Sequence, residues 1–196
     1  MDLIDRVNQH FLDSLAVKEL ARELLAAPVA VAAERMVAAL MSDRKVLSCG
    51  NGGSAADAQR FAAAMVGRFE KERPGLAAMS LVTDSSVLSA IANDYDYELV
   101  FSKQVRALGQ PGDILLAIST SGSSANVIEA VHAAHERQMS VIALTGRDGG
   151  KLAELLTGED LLLNVPTERV ARIQEVHLLL LHGICDAIDF ILLDGE

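Results

Sequence analysis

Two rhythms of apolar and polar positions alternate along this chain. In "LIDRVNQHFLDSLAVKELARELL" the apolar residues Leu3, Val7, Phe11, Leu15 and Leu20 recur at helical spacing, as a period of about 3.6 residues requires. Pro28 interrupts that pattern and "VAVAAERMVAALM" resumes it, so residues 1–41 are predicted to form a pair of helices, because proline has no backbone N–H and clashes with the preceding turn. An amphipathic pair ahead of a core has an apolar stripe to cover, and residues 1–41 are expected to serve oligomer packing. From Lys45 onward the runs "KVLSC", "LAAMSL", "DILLAI", "SVIALT" and "DLLLNV" are short, nearly continuous in apolar residues and separated by helical stretches. That alternation predicts an α/β core over 45–196, with parallel strands buried on both faces between layers of helix. Arg169 to Leu193 reads as one long helix, apolar around most of its circumference, and is expected to be buried or to lie at an oligomer interface. No linker or low-complexity tract divides the chain, so 1–196 is read as one domain.

Composition narrows the partners. With 51% hydrophobic and 22% charged residues in 196, the chain has ample material for a core. The net charge of -10 argues against non-specific binding of nucleic acid, which needs clustered lysine and arginine. Cys49 and Cys185 are the only cysteines and form no CxxC pair, so no disulfide framework is expected. The opening "MDLIDRVNQHF" has no apolar leader core, and no uninterrupted apolar run approaches the roughly 20 residues that span a bilayer. A cytoplasmic location without membrane contact is the expectation.

Two stretches carry candidate chemistry. "ISTSGSSANV" follows a strand and opens a helix, and offers Ser119, Thr120, Ser121, Ser123 and Ser124 around Gly122. Hydroxyls and unpaired amides at a helix N-terminus suit a phosphate monoester, and the helix dipole adds to the attraction. "GNGGS", Gly50 to Ser54, repeats the arrangement after an earlier strand. Neither contains GK[ST], which disfavours nucleoside triphosphate hydrolysis. Both loops are placed at the carboxyl edge of the sheet, where ligands of open α/β sheets bind.

"CGNGGSAADAQ", "GRFEKERPGL", "TDSSVLSAIANDYDY", "ISTSGSSANVIEA", "VIALTGRDGG" and "ARIQEVHLL" together resemble the sugar isomerase (SIS) domain family. The nearest branch holds the phosphoheptose isomerases and the DnaA initiator-associating protein, and the resemblance covers nearly the whole chain. It implies a SIS-type three-layer sandwich with a five-stranded parallel sheet, assembled as a homotetramer with sites between subunits. It also implies a phosphorylated sugar as ligand, sedoheptulose 7-phosphate in the isomerases, which convert it to D-glycero-D-manno-heptose 7-phosphate for lipopolysaccharide. On this resemblance Asn51, Gly52, Gly53 and Ser54 line the substrate site, Asn93 and Asp94 hold sugar hydroxyls, and Ser119, Thr120, Ser121 and Ser124 hold the phosphate. Gln174 matches a metal- and substrate-binding glutamine, and His182 a catalytic, zinc-binding histidine with Asp186 one turn on to fix its tautomer. Arg68, like Arg60, is a candidate anion contact.

The resemblance breaks on the helix after "GNGGS". The family carries a histidine there and a glutamate four residues later, whereas this chain has Arg60 and Ala64. The glutamate is the family's base for moving a proton between adjacent carbons, and losing a positioned base costs about 10²–10⁴-fold. Arg60 and Ala64 stand at two of the four presumed zinc ligand positions, so no cofactor is expected, and zinc stays possible only by the family resemblance, through Gln174 and His182. Arg60 is the candidate to supply fixed charge in place of the ion. The expectation is therefore a phosphosugar-binding protein with impaired or no isomerase activity and a regulatory role, with the DnaA replication initiator as a partner and Leu192 and Leu193 as an apolar contact near the chain end. The alternative is an active sedoheptulose 7-phosphate isomerase, an intramolecular oxidoreductase whose base lies elsewhere.

Overall fold

Every apolar run becomes a strand. The computed structural model describes residues 2–194. Its strands β1 (Val46–Gly50), β2 (Ala78–Ser80), β3 (Ile114–Ile118), β4 (Ser140–Gly146) and β5 (Leu161–Val165) form one five-stranded sheet in the order β2-β1-β3-β4-β5. All pairings are parallel. Val46, Ile114, Leu116 and Ile118 enter one core cluster, while Leu47, Cys49, Leu115 and Ala117 enter another on the opposite face. Side chains alternate across a strand, so a strand covered on both faces must be apolar at every position, and this is why the runs show no period of two.

Helices α1 (Leu3–Leu40), α2 (Gly53–Val66) and α7 (Val170–Leu193) cover the first face. Helices α3 (Ser85–Asp94), α4 (Ser102–Leu108), α5 (Ala125–Glu136) and α6 (Gly150–Leu155) cover the second. A short 3-10 turn, Tyr97–Leu99, joins α3 to α4.

The predicted N-terminal pair is in fact one helix of 38 residues with Pro28 inside it. An interior proline costs about 3 kcal/mol. Leu25, Ala32, Ala33 and Met36, on either side of it, are buried along α7 and the sheet, and a single buried leucine or methionine returns about 1.5–3 kcal/mol. Tertiary packing therefore carries the helix through the break. Its first half stands clear of the core, with Leu3, Ile4, Phe11, Leu12 and Leu15 more than half exposed.

Helix α7 also departs from expectation: it is long and apolar enough to cross a membrane. Its buried positions nevertheless include Arg172, His177 and Asp189, and it packs along α1 and α2, so it is the central helix of its layer. Near its end Leu192 packs against the core and Leu193 is 44% exposed, which leaves one apolar residue rather than two for the expected contact.

Candidate functional site

The strand order reverses between β1 and β3, since β2 lies beyond one and β4 beyond the other. Such a switch point opens a crevice at the carboxyl ends of the two strands. "GNGGS" leaves β1 there and "STSGSS" leaves β3, so both sequence-predicted loops meet at one place. They are tied together by side chains. Asn51 Nδ2 donates to Asn126 Oδ1 at 2.8 Å, and Asn126 Nδ2 donates back to Asn51 Oδ1 at 2.9 Å. Asn126, buried on the first turn of α5, was not among the residues expected from the sequence.

The loop after β3 gathers hydroxyls at the start of α5. Ser119 and Ser124 hydroxyls lie 3.1 Å apart, and Ser121 Oγ accepts from Ser123 N–H at 3.2 Å. Ser124 is the N-cap of α5 but makes no side-chain capping bond, so its hydroxyl is not consumed by the helix. Gly122 has φ +61° and abuts the Gly149 carbonyl so closely that a β-carbon has no room. Thr120 is half-buried on the same loop. On the other side, Gly52 takes φ +57° as the N-cap of α2, again without a side-chain cap, and Ser54 is buried beneath the turn. The first turn of α2 closes on the loop itself, Ser54 N–H bonding the Asn51 carbonyl at 3.0 Å and Ala55 N–H the Gly52 carbonyl at 3.1 Å, so α2 and α5 begin on loops that Asn51 and Asn126 hold side by side.

Asn93 and Asp94 end α3 and bond to each other at 2.9 Å, both exposed. Tyr97, three residues on, brings its hydroxyl to 3.5 Å from Asn51 Oδ1. This contact places the α3 end beside the β1 loop, although Asn93 and Asp94 make no bond to the serine loop among the described residues.

A second set of residues lines the groove between α2 and α7. Positions 53, 57, 60 and 64 repeat at i, i+4, i+7 and i+11 and therefore share one face of α2. A β-carbon on Gly53 would collide with Gln174 Nε2, and farther along Arg60 and Ala64 share a small crevice of about 50 Å³ with Leu178, His182 and Cys185. The two helices run side by side in the same direction, with Gln174 at the loop end and His182 farther down. The His182 ring packs on Phe69, centroids 5.5 Å apart. Asp186 is exposed and makes no bond to His182 among the described residues, so the expected tautomer-fixing contact does not form. Arg68 donates to the Glu70 carbonyl and stands exposed near Glu72, away from the serine loop's hydrogen-bond network.

Asp57 Oδ1 lies 3.2 Å from Arg60 Nη1, its side chain 6% exposed against 61% for Arg60. Burial holds the Asp57 carboxyl above its ordinary value, partly offset by Arg60. At the far end of α2, Arg73 donates through Nη2 and Nη1 to the Ala64 and Met65 carbonyls, each at 2.9 Å, and through Nε to Asp189 of α7 at 2.5 Å. This buried arginine fixes the spacing of the two helices, and sequence spacing gave no sign of it.

The residues that the resemblance assigns to zinc do not fit the ion. Gln174 and His182 are eight positions apart, about 12 Å of helix rise. The positions between them across the groove hold a cation and a methyl group. Among the described residues no group of three or more His, Cys, Asp or Glu is placed to hold a metal. The remaining candidates serve the fold. His177 is fully buried, 2.9 Å from the Thr145 carbonyl, and burial lowers its pKa to about 4. His135, assigned nothing from the sequence, pairs with buried Asp160 at 2.8 Å. Glu175 accepts from Ser14 and pairs with Arg172. Both cysteines are free and buried.

The sheet order, the serine-lined switch point and the helical layers define an open, parallel α/β domain with helices on both faces, and a family model says which one. Residues 10–146 match the SIS domain, and the chain belongs to that family. It is 70% identical over 196 residues to a protein of Laribacter hongkongensis named phosphoheptose isomerase, covering 100% of both chains. Among solved structures, phosphoheptose isomerase of Neisseria gonorrhoeae is 60% identical with a TM-score of 0.92, covering 96% of this chain and 99% of that one. The phosphoheptose isomerase of Francisella tularensis is 43% identical with a TM-score of 0.94, again covering 96% and 99%.

Proposed function

We propose that the chain binds a phosphorylated sugar at the β1/β3 switch point and acts as a phosphoheptose isomerase, with sedoheptulose 7-phosphate as substrate. The observation that carries this reading is the reciprocal Asn51–Asn126 pair, which holds two loops of amides and hydroxyls around one crevice. The full-length similarity to proteins named for this reaction supports it over the expectation of a purely regulatory protein. Isomerisation moves a proton between adjacent carbons through an enediol and needs a base and a group that polarises the carbonyl. Along the α2–α7 groove His182 is the residue to carry the proton. A cytoplasmic homotetramer belongs to the same proposal, and the uncovered apolar stripe of α1 supports assembly.

A second reading rests on one observation. Ala64 presents a methyl group where the family's base stands, which favours phosphosugar binding with impaired turnover and a regulatory role of the DnaA-associating kind. Turnover of sedoheptulose 7-phosphate separates the two. Purified wild-type protein is expected to convert it, and an Arg60→His, Ala64→Glu double variant to be faster with zinc. A silent wild-type protein beside an active double variant would instead establish the binding-only reading.

A further inference from the structure

The α2–α7 groove joins a cationic side chain to the loops that receive the phosphate, and the disagreement with a zinc site becomes informative there. Arg60 stands two helical turns from Gly53, about 10 Å of rise, on the same face of α2. It projects from a buried anchor: Asp57 beneath it is almost fully enclosed, whereas the Arg60 side chain is mostly in solvent. His182 lines the same small crevice, backed by Phe69. A dication at that point would meet the guanidinium within the same few ångströms, and like charges there repel. A guanidinium carries five donors in a rigid fork and stays charged at every physiological pH, so it supplies what an ion supplies to sugar oxygens without needing vacant ligands.

We propose that Arg60, anchored by Asp57 and facing His182, is a built-in cation that grips the oxygen-rich end of the sugar phosphate, making ligand binding by this chain independent of metal. The inference rests on the sugar-phosphate reading above. It adds that the site has two separate handles: the serine loop for the phosphate and Arg60 for the far oxygens.

Titration calorimetry on chelator-treated full-length protein tests it, with sedoheptulose 7-phosphate, inorganic phosphate and zinc as separate probes. Wild type is expected to bind the sugar phosphate without metal. Arg60→Ala is expected to weaken that binding about 10- to 100-fold, the range of a lost charge-assisted hydrogen bond, while leaving inorganic phosphate affinity unchanged. Arg60→Lys is expected to fall between, retaining charge but not the fork. Zinc is expected to bind only the Arg60→His, Ala64→Glu variant tightly. Unchanged sugar-phosphate affinity in Arg60→Ala, or binding by wild type only after zinc is restored, overturns the inference and leaves the sugar-phosphate reading standing. If wild type binds neither sugar phosphate nor phosphate, with or without zinc, both fall together.

Discussion

Asn51 and Asn126, 75 residues apart, exchange two hydrogen bonds across the switch point, each amide donating to the other's carbonyl oxygen. Since one residue leads into α2 and the other lies on the first turn of α5, the pair sets the distance between the loops that follow β1 and β3. Truncating Asn126 to alanine leaves Asn51 with a missing partner, at a cost of about 1–3 kcal/mol. Asn126→Ala is expected to fold, as circular dichroism would show, and to lose roughly tenfold in sugar-phosphate affinity by calorimetry. Affinity equal to wild type would mean that the loops hold their spacing without the pair.

Gly122 offers a sharper disturbance of the same loop. Its positive φ and its contact with the Gly149 carbonyl leave no space for a methyl group. Gly122→Ala is expected to force the serine loop open and to abolish measurable inorganic phosphate binding. Alanine at Gly158, where nothing lies within 4 Å, is the control that should change little.

The Arg73–Asp189 pair is buried on both sides, and Asp189 Oδ2 has no hydrogen-bond partner. Removing one member strands the other charge, which typically costs about 3–5 kcal/mol. Arg73→Met should therefore lower the urea midpoint strongly. The double variant Arg73→Met, Asp189→Leu should recover most of that loss, since the orphaned carboxylate is gone. Equal stability of single and double variants would argue that the charge pair itself is not the source.

Acid should act through His177. Its folded pKa is lowered to about 4 from an ordinary value of 6.5, so the unfolded chain takes up a proton first as pH falls. The stability that the neutral ring confers is complete above pH 6.5 and drains away as pH drops toward 4, by about 3 kcal/mol in total. Urea unfolding between pH 7 and 4 should show this slope, and His177→Gln should flatten it. Asp160 adds to the acid loss at lower pH: burial opposes its ionisation, but hydrogen bonds from Thr157, Val141 and His135 outweigh that and hold its pKa below the ordinary 3.8.

The strands were legible because a doubly covered strand has to be apolar throughout, and the position of both glycine- and serine-rich loops was legible because those clusters follow strands directly. The single α1 helix was not, since Pro28 speaks for a break and only the distant packing of Leu25, Ala33 and Met36 overrules it. Arg60, Ala64 and His182 were singled out from the sequence and meet at one crevice. Asn126 and Arg73 escaped notice because their partners lie 75 and 116 residues away, and neither spacing follows a local period. The expected His182–Asp186 contact failed because a one-turn offset sets two residues near each other without turning their side chains together.

The parallel course of α2 and α7 gives the groove a graduated scale. Each turn of α2 marks about 5.4 Å: Gly53 and Gln174 stand at the loop end, Arg60 and His182 about two turns down, and the Arg73–Asp189 closure at the end. Under the proposed function, a ligand held at both the loops and Arg60 has to span that separation, so its minimum length is set by the pitch of a helix and by no single side chain.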